Sequence, residues 1–546
     1  MPRLIATLCL SGLLILLLSP QTGPSQAQGP LPPRDEADTA AFITQNFTLQ
    51  TQYRGVHCVA QNGDCPAQVD LPNPCLISAC AAALMSYPVA ATYDTLQAAA
   101  EAAGPGEAVV IMPGRYAGVM LENTGGEEGA YIHFMGLGDL GQVVIDRVAD
   151  PSKSWLRHQF YFINTHHYLI SNLVFEGSDE GAGLFFSGYF SETGSFSHHM
   201  IVQGVYSRDH YKWGMHSTAA SYLLVQDSVF TNSADEHGLY VSGSGDNILI
   251  RRNVFQGNNA AGVQVNPDPQ SATMELFYWL QNSTGDTCGW TEEEADFTGA
   301  AQWEDIKACY DGQGLPDLGG FIEDGVGEKI IIEQNIITGN GAAGGAGINL
   351  ASLRDSIVRN NLIYGNAAAG IACWDNAYSE DKGLASSDFG CQNVLIYNNT
   401  LVDSSGGRGA LILNRDAQNM GVYNNLIVRD RYDAYEVAAN SGAGLRSDHN
   451  YYFAQYTEDS PGFAGEGPGS ITGFTIEEAL GQFVAPGFEA WIIAEGGGYL
   501  LNPARPDYHL RPGSPLVGAG TADFMPAFDL MGAERGLELG ALVAGD

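Results

Sequence analysis

Residues 237 to 266 read HGLYVSGSGDNILIRRNVFQGNNAAGVQVN and contain the unit from which most of the chain is built. A Gly-led phrase (GLYVS) alternates apolar and polar positions, and a turn (GSGDN) follows. A second alternating phrase (ILIRRNVF) runs into a polar turn (QGNNAA), after which the first phrase returns as GVQVN. A period of two predicts strands rather than helices. Neither phrase buries its apolar face alone, whereas stacked copies do. With the Asn of RRNVF as marker, equivalent positions fall at Asn172, Gly204, Ser228, Asn253, Asn335, Asn361, Asn399, Asn425 and Asn450. Five of the steps are 24, 25, 26, 26 and 25 residues; the remaining 32, 82 and 38 are one coil plus an insertion. Short strands and turns repeating in the twenties predict a β-solenoid. Asn at a repeated corner predicts an amide ladder from coil to coil.

The coil phrases GLYVS and NILIRRNVFQGN, together with ATYDTLQAAAEAAGPGEAVVIMPGRY near the start, make the chain similar to right-handed parallel β-helix proteins, the architecture of pectate lyases and their relatives. The resemblance spans about residues 90 to 546. It implies an all-β, right-handed parallel β-helix. It leaves the reaction open, because this scaffold carries lyases, hydrolases, epimerases and adhesins.

The domain layout follows from these patterns. Residues 1–27 read as a secretory signal: Arg3, the apolar run LIATLCLSGLLILLL, and the small-residue site Ser25-Gln26-Ala27. Residues 28–52 read as a disordered Pro-rich linker and 53–88 as a Cys-rich segment without trustworthy periodicity. Within 89–452, the β-helix, a short helix placing Leu96, Ala99, Ala100 and Ala103 on one face precedes the first coil and covers its open end. Residues 453–546 read as a closing coil that seals the C-terminal end.

Gly-led strands begin at Gly183, Gly214, Gly238, Gly262, Gly347, Gly370 and Gly409, and the three long insertions, 188–198, 267–326 and 375–392, all leave from their far ends. Insertions from one edge stack into a wall, and binding residues concentrate where loops wall a rigid scaffold. Alternation puts Phe185, His216, Tyr240, Gln264, Asn349, Ala372 and Leu411 in one outward row of this face. Ser187, Thr218, Ser242, Asn266, Ala351, Trp374 and Leu413 form the next. The other strand has Gln226, Glu333, Arg359, Tyr397 and Tyr423 as an outward row read as solvated surface, with Arg251-Arg252 on the same strand. The pairs His166-His167 and His198-His199 lack a metal-site spacing.

Net charge is −38, with 24 Lys+Arg against 62 Asp+Glu. Such a surface excludes nucleic acid and anionic membranes as partners, and no stretch after the signal is long and apolar enough to span a bilayer. Calcium is the cofactor this acidity admits, through carboxylate and carbonyl oxygens, although no EF-hand or nonapeptide repeat is present. Of the nine cysteines, Cys9 leaves with the signal. The other eight predict disulfides in an oxidising compartment: Cys288–Cys309, Cys373–Cys391 and two pairs among Cys58, Cys65, Cys75 and Cys80. Zinc is the rival for that first cluster, but its spacings fit no finger pattern.

These features predict a secreted monomer, in the medium, at the cell surface or in the periplasm, that acts on a polysaccharide along the Gly-led face. Three chemistries compete. A lyase needs a base beside a uronate carboxylate, an acid for the leaving oxygen and a cation: Tyr240 with His216 or His237, and Lys212 or calcium. A glycoside hydrolase needs two carboxyl groups, available from Asp235, Glu236 and Asp268. A non-catalytic glycan-binding solenoid needs only the polar and aromatic lining. Gln264, Asn266, Asp268 and Trp374 are the substrate-binding candidates. Phe277, Tyr278, Trp279, Trp290 and Trp303 of the long insertion serve either its own core or a sugar platform.

Overall fold

A computed structural model describes residues 36–77, 84–296, 303–315, 324–375, 389–403, 408–430, 433–454, 460–472, 475–531 and 533–542. The signal segment, Cys80 and most of the 375–392 insertion lie outside these residues. Three long, wholly parallel sheets of 13, 10 and 12 strands build a right-handed β-helix. The Gly-led phrases form the 10-stranded sheet, called the groove sheet below. The second phrase bends at Arg252, whose φ of 52° is left-handed. Leu249–Arg251 therefore joins the 13-stranded sheet and Val254–Gln256 the 12-stranded one. Inward positions of all three sheets fill a single core, from Val109 and Phe134 through Ile250 and Val263 to Val437.

The amide ladder forms. Asn253 Nδ2 donates to Asn335 Oδ1 (3.1 Å), Asn335 to Asn361, Asn361 to Asn399 and Asn399 to Asn425 (3.0 Å each), and Asn425 to Asn450 (3.1 Å). Each Oδ1 also accepts the backbone N–H of the preceding coil, as in Asn335 N to Asn361 Oδ1 at 3.0 Å. A second ladder, Asn258–Asn340–Asn366, runs at the next corner. Asn361→Leu removes a donor and an acceptor from a fully buried column. Orphaned partners of this kind cost about 1–3 kcal/mol each, so the urea midpoint should fall measurably; an unchanged midpoint would remove the ladder from the account.

The pairing corrects the expected register in two places. Ser171 pairs with Gln203 and Gln203 with Gln226, so Asn172 and Gly204 sit at the left-handed corner before the ladder position, which Leu173 and Val205 occupy. Ala372 pairs with Ile412, so Leu411 and Leu413 point into the core and not onto the groove face.

The N-terminal region departs most from expectation. Within the segment expected to be a disordered linker, Glu36–Asn46 is a helix whose Phe42 and Ile43 pack with Phe47 on Leu169, Ile201 and Leu224, outside the 13-stranded sheet. Val56–Val59 is already a strand of that sheet, beside Ala108–Ile111. The coils thus begin within the Cys-rich segment. As expected, Leu96–Ala102 is a helix capped by Thr95, with Leu96, Ala99 and Ala100 buried over the first coil. The row read as solvated surface is largely covered: Arg251, Glu333 and Arg359, at most 2% exposed, lie under the N-terminal region, while Tyr397 and the half-buried Tyr423 pack on Phe524. Polar alternation looks the same whether water or a polar helix face covers it.

The C-terminal region does not simply seal the end. Its antiparallel hairpins, Phe483–Ala485 with Asp507–Leu510 and Ile492–Glu495 with Gly498–Leu501, lie along the outside of the 12-stranded sheet. There Trp491, Ile492 and Tyr508 cover Tyr206, Ile336 and Tyr364. Asn360 and Asn424, on the left-handed corner column, donate to Phe528 O and Thr521 O at 2.9 Å.

Disulfides join Cys58 to Cys65 and Cys288 to Cys309, and Cys75 is disulfide-bonded. The expected Cys373–Cys391 bridge is not formed: both are buried thiols. Burial pushes the Cys373 thiol well up, which disfavours the thiolate that oxidation needs. Alkylation should therefore label neither in the native chain and both after unfolding; labelling of neither after unfolding would indicate a bridge. Among the described residues no helix is long and apolar enough to cross a membrane.

Candidate functional site

The groove sheet holds in-register columns because each coil repeats the same Gly-led alternation. Tyr161 pairs with Phe185, Phe185 with His216, His216 with Tyr240, Tyr240 with Gln264, and Gln264 with Asn349. The outward row predicted from the sequence is therefore real from Phe185 to Ala372, and Tyr161 extends it. Its rings stack. The His216 imidazole lies 4.7 Å from the Tyr240 ring at 9° and 4.6 Å from Phe185, with Trp213 4.4 Å away and tilted at 45°.

Beside this row runs a second column, two residues before each strand: His158, Ala182, Trp213, His237 and Ala261. His158 Nδ1 accepts the N–H of Ala182 at 3.1 Å, and His237 Nδ1 accepts that of Ala261 at 3.0 Å. The two histidines thus hold the same position in different coils, and His158 stacks on Phe185 at 4.2 Å. The signal lay in the sequence, since HQFYF and HGLYV are one phrase. Burial lowers both imidazoles to about 4. With Nδ1 accepting, the neutral His237 ring carries its proton on Nε2, which faces Glu236 Oε2 at 3.3 Å. That ring has no lone pair left for a substrate.

His216 is different. Burial, followed by the charges of His158, His237 and Lys212, lowers its imidazole well below the ordinary value, so it is neutral. Its Nε2 lies 2.7 Å from Ser242 Oγ and 3.4 Å from Thr218 Oγ1, two hydroxyls of the second outward row. Asn266 Nδ2 donates to the Tyr240 hydroxyl at 3.4 Å. A polar chain continues along the face: Asn349 Nδ2 to Gln264 Oε1 and Trp374 Nε1 to Asn349 Oδ1, both at 2.7 Å. Lys212 lies on the rim with its ammonium 4.9 Å over the Trp213 ring. Tyr189 and Tyr211, each more than two-fifths exposed, stand at the edges.

The carboxylates are less well placed. Asp268 is the N-cap of helix Pro269–Thr284: its side chain accepts from Gln270 N and Ser271 N at 3.1 Å, and from Ser271 Oγ at 2.8 Å. Asp235 is exposed. Glu236 is paired with His237, and burial followed by Asp235 raises its carboxyl. Among the described residues no trio of carboxylates converges to hold calcium.

The wall is built from two insertions packed together. Phe190–Thr193 and Pro269–Thr284 share a core of Phe190, Leu276, Phe277, Leu280, Ile306 and Tyr310. Glu275 Oε2 accepts from Ser191 N, and Asn282 Nδ2 donates to Ser191 O, both at 2.7 Å. Trp279, Trp290 and Trp303 pack against this core rather than standing out as a platform. The acidic run Glu292 to Glu294 is the first turn of helix Glu292–Ala295, closed by a capping box with Thr291. A separate cleft of about 790 Å³ lies between the 70–77 segment and His133, Ser171 and Arg252, and shares no residue with the groove.

A family model for the right-handed β-helix region matches residues 153–276. No curated protein matches in sequence. Among solved structures, pectate lyase Pel9A is similar at 14% identity, over 92% of this chain and 100% of that one, with a TM-score of 0.47. The A-module of the Azotobacter vinelandii mannuronan C-5 epimerase AlgE4 is similar at 13%, over 69% and 91%, with a TM-score of 0.30. An alginate lyase from Paenibacillus sp. is similar at 12%, over 62% and 91%, with a TM-score of 0.31. The chain is a right-handed parallel β-helix, and the family match spans the coils that carry His158, His216, Tyr240 and Gln264.

Proposed function

We propose that this is a secreted carbohydrate-active protein whose groove face carries out a lyase reaction on a uronate-containing polysaccharide. The observation that carries the reading is the neutral His216 imidazole stacked on Tyr240 in a row of rings, with hydroxyls on one flank and a lysine on the other. Disulfides and the N-terminal signal pattern support export.

In this reading His216 Nε2, which shares a hydrogen bond with Ser242, takes the proton next to the uronate carboxylate. The electron pair forms a ring double bond, the bond to the glycosidic oxygen breaks, and Tyr240 protonates the departing oxygen. The Tyr240 oxygen accepts from Asn266, so its own proton is the one it donates. Lys212 neutralises the carboxylate.

Tyr240→Phe keeps the stack and removes the acid, so the rate of unsaturated-product formation should fall by on the order of a hundredfold. Glu236→Gln should leave most of that rate. Full activity in Tyr240→Phe, or loss on Glu236→Gln alone, would overturn the assignment in favour of hydrolysis by carboxyl groups.

A further inference from the structure

The two His-His pairs, which show no ligand spacing along the chain, are brought together by the fold. Strands His166–Ser171 and His198–Gln203 pair in parallel with His166 opposite His198. The His166 and His198 rings lie 5.1 Å apart at 8°, and the His167 and His199 rings 4.5 Å apart at 7°. Within each pair Nδ1 faces Nδ1, at 3.1 Å for His166–His167 and 2.8 Å for His198–His199. His167 and His199 both take left-handed backbone, with φ of 56° and 53°, which brings each ring round beside its neighbour's. Four imidazoles thus form a square two coils high, on the 13-stranded sheet and outside the groove. Tyr222 floors it, stacked 4.4 Å from His199, and Tyr131 meets His167 edge-on at 5.0 Å.

We propose that His167, His198 and His199, with His166 beside them, bind one divalent transition-metal ion of the zinc class. One nitrogen from each of the first three lies within 4.8 Å of the others. A tetrahedral zinc with Zn–N bonds of about 2.0–2.1 Å requires nitrogens about 3.3 Å apart. Binding therefore requires the rings to turn and to exchange the Nδ1–Nδ1 hydrogen bonds within the pairs for bonds to the ion. An all-imidazole donor set selects zinc, cobalt, nickel or copper, and rejects calcium and magnesium, which take oxygen ligands. The half-buried aromatic surround limits access by water.

The test uses the full chain, stripped with a chelator and dialysed, then titrated with Co²⁺ alone. One equivalent should bind with the visible absorption of a four- or five-coordinate nitrogen site, and Zn²⁺ should abolish that band. The variant His167→Asn/His199→Asn should bind at least about a hundredfold more weakly, while His509→Asn should bind as the unaltered chain does. Absence of Co²⁺ binding to the unaltered chain, or undiminished binding by the double variant, would overturn the proposal and leave the square as a packing device. Should the double variant fold poorly, Cu²⁺ loaded into the unaltered chain provides a second readout. Its electron paramagnetic resonance should show coupling to at least three imidazole nitrogens, and fewer would equally overturn the site.

Discussion

Lowering the pH from 8 to 5 should destabilise this protein by several kcal/mol, in contrast to the broad tolerance its acidic surface suggests. His133, His210 and His216 are buried and neutral, with His133 and His210 lowered to about 3 and His216 also well below the ordinary value, and desolvation is the main cause in each. For His210 the hydrogen bonds are specific to the neutral ring. His210 Nδ1 accepts from Ser178 N at 3.2 Å, so its Nε2 donates to Ser207 Oγ at 2.9 Å, and that hydroxyl donates to Gly214 O at 2.7 Å. His133 lies between Tyr53 OH (2.6 Å) and Ser171 Oγ (2.7 Å). Because the folded values are depressed, the unfolded chain binds more protons below the ordinary imidazole value. The stabilisation is complete above that value and is lost as the pH falls from it towards about 3. At about 1.4 kcal/mol per pH unit per group, His133 and His210 together cost about 4 kcal/mol at pH 5, and His216 adds to this in the same direction. Burial raises Asp246 to about 7, and that carboxyl works in the opposite direction, offsetting part of the loss. Urea midpoints at pH 8, 6.5 and 5 check the sign: a midpoint that holds or rises towards pH 5 would contradict it.

Arg359→Ala should cost about 3–5 kcal/mol, the usual result of leaving one partner of a buried ion pair uncompensated. Arg359 and Glu333 are almost wholly buried, with guanidinium and carboxylate 2.7 Å apart. The same guanidinium donates to Tyr397 OH at 2.8 Å and to Thr39 Oγ1 at 2.7 Å, on helix Glu36–Asn46. Losing it should therefore unseat that helix as well as lower global stability, and limited proteolysis should cut near residue 40 before the coils unfold. Arg359→Met with Glu333→Leu removes both charges and should recover much of the loss. A single variant as stable as the parent, or a double variant no better than the single, would show that the pair does not hold the helix.

These two cases mark how far the sequence alone carries. Period-two alternation and the Asn marker are local and repeated, so the solenoid, its ladder and the groove row from Phe185 to Ala372 were legible. The markers at Asn172 and Gly204 slipped by one because only pairing between coils distinguishes the left-handed corner from the ladder position after it. Arg359 and Glu333 look like surface residues until a helix some three hundred residues earlier is seen to cover them. His158 escaped because its coil precedes the segment in which the repeat was read. The histidine square was hidden by the insertion between its two layers, which disguises a one-coil step as a spacing of 32 residues. Asp268 shows a structural role that the sequence also carried. A carboxylate beside the groove looked chemical, while the Pro after it already marked a helix N-cap.

The elimination proposed for His216 and Tyr240 on a uronate polysaccharide leaves an unsaturated product that absorbs in the ultraviolet. The most direct measurement is ultraviolet absorbance of the unsaturated product while the purified chain meets a panel of uronate polysaccharides, with and without calcium, with reducing ends counted in parallel. Absorbance should rise in step with reducing ends on at least one member of the panel. Reducing ends without absorbance would mean hydrolysis, and neither signal on any of them would mean a binding solenoid; either result contradicts the claim.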